Sequence, residues 1–536
     1  MMARMDYTTR IQAVRRNCGY PTKETLRCRD DNEQTKETYT MTRFGLWLDG
    51  QERPALGANY FESIDPASGQ SWCEVATGTA ADVDQAVASC QRAFVSPQWR
   101  QAAPSWRRNL LQDIARCIRE NESKLADVEC RDSGKLLREC RLHVSAAAEW
   151  FEYFAGMTDK FCGDTIPSDY GILNYTMPQP YGVVGAIVPG NSPLLLTAWK
   201  LAPALATGNT LVVKPSEYTS ASLITLLRLL GDRLPAGVVN VVTGMGIEVG
   251  KAIIQHPGIR KIAFTGGEAG GKAVAEGAGR RLAPVLLELG GKSANIIFDD
   301  AVYDKALAGI MAGVFAASGQ TCMAGSRVLV QKGIYERILT DLCAKTGTIR
   351  VGHPAAVDTQ VGPLGNAAQL TRVQALVSSA IRDGATVRAG GERLKLDAHP
   401  NGYFYSPTII TDVPVDADIL KKEIFGPVMT VIPFDTEEEA LSLANDSEFG
   451  LVAGLWTSNV YRTHRLAQAL NAGTIFVNLY RKVAPQSPFG GQMQSGFGRE
   501  NGFEVMREYT QVKSVLMDID ENRVQDPFVM RVGNSG

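Results

Sequence analysis

Between residues 181 and 267, short apolar runs alternate with longer stretches whose apolar residues recur every third or fourth position. The runs "YGVVGAIVPG", "NTLVVKPSE", "VVNVVTG" and "IRKIAFTGG" read as strands. The intervening "PLLLTAWKLAPALATG", "SASLITLLRLLGDRL" and "EVGKAIIQHP" read as helices. From residue 291 the alternation resumes, with strands in "SANIIFDD", "SRVLVQ" and "MTVIPF" and helices in "VYDKALAGIMAGVFAASG" and "QLTRVQALVSSAIRDGA". Such alternation predicts parallel sheets covered on both faces, with ligands beyond the carboxyl ends of the strands. In the first run those ends carry "PGN", "KPSE" and "FTGG".

The flanks are patterned differently. "FGLWLDGQE" predicts a strand and turn, and "AADVDQAVASCQRAF" a helix with an acidic first turn. "SWRRNLLQDIARCIRENESKLADVECRDSGK" reads as two surface helices, "AAAEWFEYFAGM" as another helix, and "YTQVKSVLMDID" as an extended strand. Residues 1–40 lack apolar periodicity and a secretory core, so a poorly ordered extension is expected there.

Composition narrows the classes. The 536 residues carry 21% charged and 45% hydrophobic side chains with a net charge of −2. That balance gives no electrostatic footprint for nucleic acid or an anionic membrane. No apolar stretch reaches the ~18–20 residues of a membrane span. The ten cysteines form no CxxC pair and do not cluster with the five histidines. They predict no metal site, and reduced thiols in a cytoplasmic protein.

Two glycine-rich turns compete as phosphate sites. "GMGIEVG" follows a strand and opens a helix, but its third glycine comes one place late for GxGxxG, so a plain tight turn is an equal reading. In "FTGGEAGGKAV", Gly266, Gly267, Gly270 and Gly271 would let a ligand approach the backbone at a helix N-terminus. Cys322, in "SGQTCMAGSR", has no histidine near it in sequence to act as its base.

Seven separated motifs then agree: "PGNSP", "KPSE", "FTGG", "LELGGKSANIIF", "GQTCMAGSR", "KEIFGPV" and "PFGGQMQSGFGRENG", in that order. Together they resemble the NAD(P)-dependent aldehyde dehydrogenase superfamily, of the hydrolytic type that does not acylate CoA. The resemblance spans roughly residues 43–520. It implies an α/β fold with a Rossmann-like parallel-sheet cofactor domain, an α/β catalytic domain and a β oligomerisation element. On that template residues 1–42 are the extension, 43–157 with 181–290 the NAD-binding domain, 158–180 with 479–520 the oligomerisation element, 291–478 the catalytic domain and 521–536 a tail. An exposed edge strand needs a partner, so a homodimer or homotetramer is expected.

Residue by residue, the resemblance implies Cys322 as nucleophile, Glu288 as deacylating base and Asn191 as oxyanion donor. Lys200 and Glu500 would relay a proton outward. The separation 322 − 288 = 34 fits the hydrolytic members. Pro189, Lys214, Ser216, Glu217, Phe264, Thr265, Gly266, Gly267, Gly270, Gly271, Leu289, Glu423 and Phe425 would contact the cofactor. Leu196, Trp199, Thr321 and Phe489 would line the substrate channel. The residue types suit the chemistry. A thiolate attacks an aldehyde, preorganised amides stabilise the oxyanion, and a carboxylate activates the water that hydrolyses the thioester. Glu288 would also replace the missing histidine as acceptor of the thiol proton.

A carboxylate at Glu217 suits a ribose diol and repels an added phosphate, which favours NAD, with NADP the lesser alternative. Three departures stand out. Many relatives have Pro-Trp-Asn where this chain has Pro189-Gly190-Asn191, leaving more room beside the oxyanion site. Gly267 replaces a common Ser, and Glu268 puts a carboxylate near the diphosphate. The apolar channel set, with no Arg or Lys for a substrate carboxylate, predicts an uncharged aliphatic or aromatic aldehyde. A CoA-acylating dehydrogenase is the neighbouring alternative, and a thiol-dependent esterase or acyl hydrolase the more distant one.

Overall fold

The computed structural model describes residues 41–522, 524, 527 and 528. The expected extension at 1–42 lies outside them apart from Met41 and Thr42, as does most of the tail at 521–536. Five strands, Val183–Ile187, Thr210–Lys214, Val239–Val241, Lys261–Thr265 and Val285–Glu288, run parallel. Val183–Ile187 lies in the middle of the five. The chain steps to Thr210–Lys214 and Val239–Val241 on one side, then returns to Lys261–Thr265 and Val285–Glu288 on the other. The order therefore reverses beside Val183–Ile187, where a crevice opens beyond the strand ends. Val183–Ile187, Thr210–Lys214 and Lys261–Thr265 are buried along their whole length. Burial on both faces is why they read as continuous apolar runs. Each enclosed Val, Leu or Ile contributes about 1.5–3 kcal/mol. Antiparallel strands close the edges: Leu46–Leu48 and Gln51–Arg53 on one, Gly496–Phe497 on the other.

A second sheet orders Thr386–Ala389, Thr408–Thr411, Val428–Phe434, Arg327–Gln331, Ala294–Ile297, Val452–Trp456 and Thr474–Val477. All its pairings are parallel except that of Thr386–Ala389. The loops entering Arg327–Gln331 and Val428–Phe434 carry "GQTC" and "EIFG". The first sheet thus offers strand exits to the site, and the second offers strand entrances. In a third sheet Ile172–Pro180 pairs antiparallel with Thr165–Ile166 and with Thr510–Asp518.

The helices Pro104–Glu120 and Glu122–Ser133 are less superficial than their polarity predicts. They bury Leu110, Leu111, Ile114, Ile118 and Leu125, and the second also buries Glu129 and Asp132. Helix Ala80–Val95 starts where its acidic first turn predicts, with Asp82 Oδ2 accepting from the Thr79 amide at 2.9 Å.

Arg327 ties the second sheet to a neighbouring helix. Its Nε donates to Lys292 O at 2.8 Å, Nη1 to Leu443 O at 2.7 Å and Nη2 to Ala444 O at 2.7 Å. Leu443 and Ala444 lie in the last turn of helix Glu437–Asn445, where carbonyls lack intrahelical partners. Lysine cannot reproduce this fork. Arg327→Lys is expected to lower stability by about 2–4 kcal/mol, read from the urea midpoint. A change under ~0.5 kcal/mol, the ordinary range for a neutral surface substitution, would contradict this role.

Candidate active site

A cleft of about 990 Å³ opens at the reversal of strand order, lined by Ile187, Pro189, Lys214, Ser216, Glu217 and residues from Phe264 to Gly267. Its size is at the upper end of the ~300–1,000 Å³ usual for small-molecule sites. Gly270 and Arg280 extend the wall. Helix Glu268–Gly279 starts directly after Gly267, and a Cβ at Gly267 would meet nothing within 4 Å. The backbone there is open to an anionic group at a helix N-terminus. Cβ atoms at Gly266 and Gly270 would strike the Phe264 ring at 2.6 and 2.8 Å, so both glycines are required by that ring. At the far wall Lys214 Nζ donates to Glu217 Oε2 and to Pro215 O, each at 3.0 Å. Burial pulls the Lys214 pKa down, and Glu217 opposes that.

A second cavity of about 240 Å³ shares Pro189, Thr265, Gly266 and Gly267 with the cleft. It brings together Cys322, Glu288, Asn191, Leu196, Glu423 and Phe425. Glu288 ends the strand Val285–Glu288 and is 2% exposed. The Cys322 thiol lines the same cavity, and the Glu288 Oε1 is buried without a hydrogen-bond partner. Burial pushes the Glu288 carboxyl up to about 8, and the neighbouring Cys322 thiol and Lys200 ammonium only partly offset this. The thiol is also pushed well above its ordinary value, first by burial and then by the Glu288 carboxylate. Behind them Lys200 Nζ donates to Thr265 Oγ1 at 2.8 Å and pairs with Glu500, both partners being almost wholly buried.

The loops are held from several directions. Asn191 Nδ2 donates to Gln320 O at 3.1 Å, two residues before Cys322. Gln369 Nε2 donates to Ile424 O and Phe425 O at 2.9 and 2.8 Å, and Arg372 Nη2 to Glu423 O at 2.8 Å. Phe425 is left-handed, with φ 56°. Glu423 accepts from the Gly291 amide at 3.3 Å, and burial lifts its carboxyl to about 7. Ser495 Oγ donates to Gly290 O at 2.8 Å and accepts from the Gly450 amide at 3.1 Å, bracing the segment after Glu288.

The approach to Cys322 differs from the helix expected over 302–319. The helix is Tyr303–Phe315, and Ala317 and Ser318 turn left-handed (φ 54° and 53°), followed by Gly319 at φ 71°. Left-handed conformations cost about 1–2 kcal/mol per non-glycine residue. A Cβ on Gly319 would lie 2.0 Å from Gly426 O, so only glycine fits there.

Not every expected residue reaches the cavities. Gly271 faces Leu289, whose methyls would lie 2.5 Å from an added Cβ, so this pair serves helix–sheet packing. Trp199 and Phe489 pack edge to face behind Leu196, and Trp199 stacks on Trp150. They and Thr321 are buried, and neither cavity includes them. Glu268 pairs with Lys272 and lines a separate depression with Arg372 and Asp418. At Gly190 a Cβ would point at Thr219 Oγ1 and Ser216 Oγ, 3.0 and 3.1 Å away, beside a side cavity of about 110 Å³.

Other residues at the site carried little sequence signal. Gly246, Ile247 and Gly250 line the large cleft. They belong to "GMGIEVG", whose extra residue is taken up in a π-helical turn, Gly246–Gly250, ahead of helix Lys251–Gln255. Below the Asn191 loop, Lys135 Nζ donates to Ser192 Oγ at 2.8 Å, and Glu129 Oε2 accepts from the Leu194 amide at 3.2 Å. Burial lifts Glu129 to about 7.

The aldehyde dehydrogenase family profile matches residues 54–515. An aldehyde dehydrogenase of Aspergillus niger is 41% identical over 473 residues, covering 88% of this chain and 94% of that protein. The (Z)-2-((N-methylformamido)methylene)-5-hydroxybutyrolactone dehydrogenase of Acinetobacter baylyi is 39% identical over 494 residues, covering 92% and 100%. An NAD+ complex of aldehyde dehydrogenase from Bacillus cereus superposes with a TM-score of 0.87 at 41% identity, covering 89% of this chain and 97% of that one. The chain belongs to the aldehyde dehydrogenase family and is an oxidoreductase.

The thiol–carboxyl proximity has a measurable consequence. Glu288→Gln removes a negative neighbour, so the thiol should ionise at lower pH. The pH midpoint of iodoacetamide alkylation at Cys322 is expected to fall by roughly one unit or more. An unchanged or higher midpoint would contradict the pairing.

Proposed function

We propose that this chain oxidises an uncharged aldehyde to its carboxylic acid, using NAD and a covalent thioester on Cys322. The observation that carries this reading is that Cys322 and buried Glu288 line one small cavity contiguous with the large cleft. That cleft fits a dinucleotide: open glycine backbone at a helix N-terminus suits the diphosphate, and Lys214 with Glu217 suits a ribose diol. Pro189, Ser216, Phe264, Thr265, Glu423 and Phe425 would complete the cofactor's contacts. Bound there, NAD supplies the hydride acceptor.

The remaining chemistry belongs to the chain. Glu288 takes the thiol proton, and the sulfur adds to the aldehyde carbon. The Cys322 amide and the second Asn191 Nδ2 hydrogen face the developing oxyanion, a contribution often worth about 3–4 kcal/mol per donor. Loss of hydride from that carbon leaves the acyl group on sulfur. Glu288 first passes the thiol proton on toward Lys200 and Glu500; as a carboxylate again it removes a proton from water, whose oxygen displaces the thiolate and yields the acid. Lys200 and Glu500, hydrogen-bonded behind Glu288, form the outward proton path. A base for water is unnecessary in CoA acylation, so Glu288 favours hydrolysis. The dinucleotide cleft disfavours a simple esterase.

The carboxylate of Glu217 supports NAD over NADP, and the NAD+ complex of the Bacillus cereus relative supports it further. Exposed Val512, Leu516, Ile166 and Leu173 on the third sheet support a homodimer or homotetramer. Among the described residues eight cysteines are free, five of them buried, which supports a reducing cytoplasmic setting. Among the described residues no helix is long and apolar enough to cross a membrane.

An aldehyde panel with NAD and NADP tests the proposal. Parent enzyme should form NADH fastest with neutral aldehydes, and Cys322→Ala should lose at least ~1,000-fold in kcat while still binding NAD. Turnover surviving in Cys322→Ala would overturn the mechanism. A strong preference for succinic semialdehyde over a neutral aldehyde of similar length would overturn the substrate class.

A further inference from the structure

We propose that Glu139 is a positioning residue whose carboxylate locks the left-handed turn Ala317–Gly319 and thereby sets where the Cys322 thiol stands. This rests on Cys322 being the reacting group. Glu139 lies in the first turn of helix Leu137–Ala155, and its Oε1 accepts from the Ala317 amide at 2.9 Å across 178 residues of sequence. Its Oε2 is buried without a protein hydrogen-bond partner.

The bond replaces one that a longer helix would have made. Had Tyr303–Phe315 continued, the Ala317 amide would have donated to the carbonyl of Gly313, four residues back. Instead Gly313 O accepts from the Gly325 amide at 3.2 Å, on the far side of the loop that holds Cys322. Glu139 therefore supplies the acceptor that the broken helix gives up, and Gly313 is free to pin the loop's return. Ser318 Oγ donates to Gly362 O at 3.0 Å, and Gln320 Oε1 accepts from the Gly365 amide at 2.8 Å. Those bonds hold residues 318 and 320, while Glu139 holds residue 317, where the left-handed path begins. Alanine is the strongest helix former and a poor left-handed residue. Without the carboxylate, the turn competes with one more residue of helix, which would withdraw the loop from Asn191 and Glu288. Arg481 also lies within electrostatic reach of Glu139, so a pure charge role must be separated from the hydrogen bond.

Three full-length variants separate them: Glu139→Ala, Glu139→Gln, and Glu139→Ala combined with Ala317→Gly. The readouts are kcat/KM for a neutral aldehyde, the rate of iodoacetamide alkylation at Cys322 by peptide mass, the Kd for NAD, and thermal melting. Glu139→Ala should lose at least tenfold in kcat/KM and in alkylation rate, with Kd for NAD within twofold. Glu139→Gln, whose amide oxygen still accepts, should stay within threefold of the parent. Ala317→Gly, which takes the left-handed path at no steric cost, should recover several-fold of the loss. Glu139→Ala within twofold of the parent, Glu139→Gln as impaired as Glu139→Ala, or no recovery by Ala317→Gly would each overturn the proposal. If alkylating Cys322 leaves the parent active, the catalytic reading itself fails as well, whatever the Glu139 comparison gives.

Discussion

A half-buried thiol sharing a small cavity with a buried carboxyl group can hold little negative charge. Burial raises the pKa of Cys322 and Glu288 alike, and each anion would raise the other's further. The pair therefore keeps its proton until something positive arrives or the charge can spread onto amide donors. Much of the surrounding architecture answers that constraint. Lys200 sets a cation behind Glu288, Asn191 brings an amide to the Cys322 loop, and the dinucleotide cleft opens onto the same space. On this reading the enzyme rests in a neutral state and becomes nucleophilic when its cationic cofactor is in place. That protects a reactive sulfur from idle alkylation or oxidation.

Holding two such groups together requires two rigid bodies. Glu288 hangs on the exit of a strand in one sheet, and Cys322 on the entrance to a strand in another. Exits and entrances are loops, which would otherwise be mobile. Here they are pinned by side chains reaching across: Asn191 to Gln320, Gln369 to the Phe425 segment, Ser495 to Gly290. Several pinned residues adopt left-handed backbone that their side chains disfavour, among them Ala317, Ser318 and Phe425. Local preference and packing disagree at these positions, and packing wins because the polar ties are enclosed.

The alternation of strands and helices was legible because burial on both sheet faces makes a strand a continuous apolar run. Cys322, Glu288 and the glycines near 266 were legible because their motifs are local. What escaped was non-local. Glu139, Glu129 and Lys135 look like ordinary surface charges in sequence, and only the tertiary fold encloses them. The end of helix Tyr303–Phe315 could not be read from "VFAASG", since its alanines favour helix and the break depends on a carboxylate 178 residues away. The "GMGIEVG" turn failed a fixed-spacing test that a π turn relaxes. Gly271, in the glycine run near 266, has a packing reason of its own, because Leu289 lies against it.

The central claim is that substrate carbon becomes bonded to one particular sulfur. Acid-quenching the enzyme milliseconds after mixing with NAD and an aldehyde, then mapping its peptides by mass, tests it directly. The account predicts an acyl mass increment on the peptide holding Cys322, accumulating when Glu288 is replaced by Ala. An increment on any other residue, or none while NADH is being formed, would contradict it.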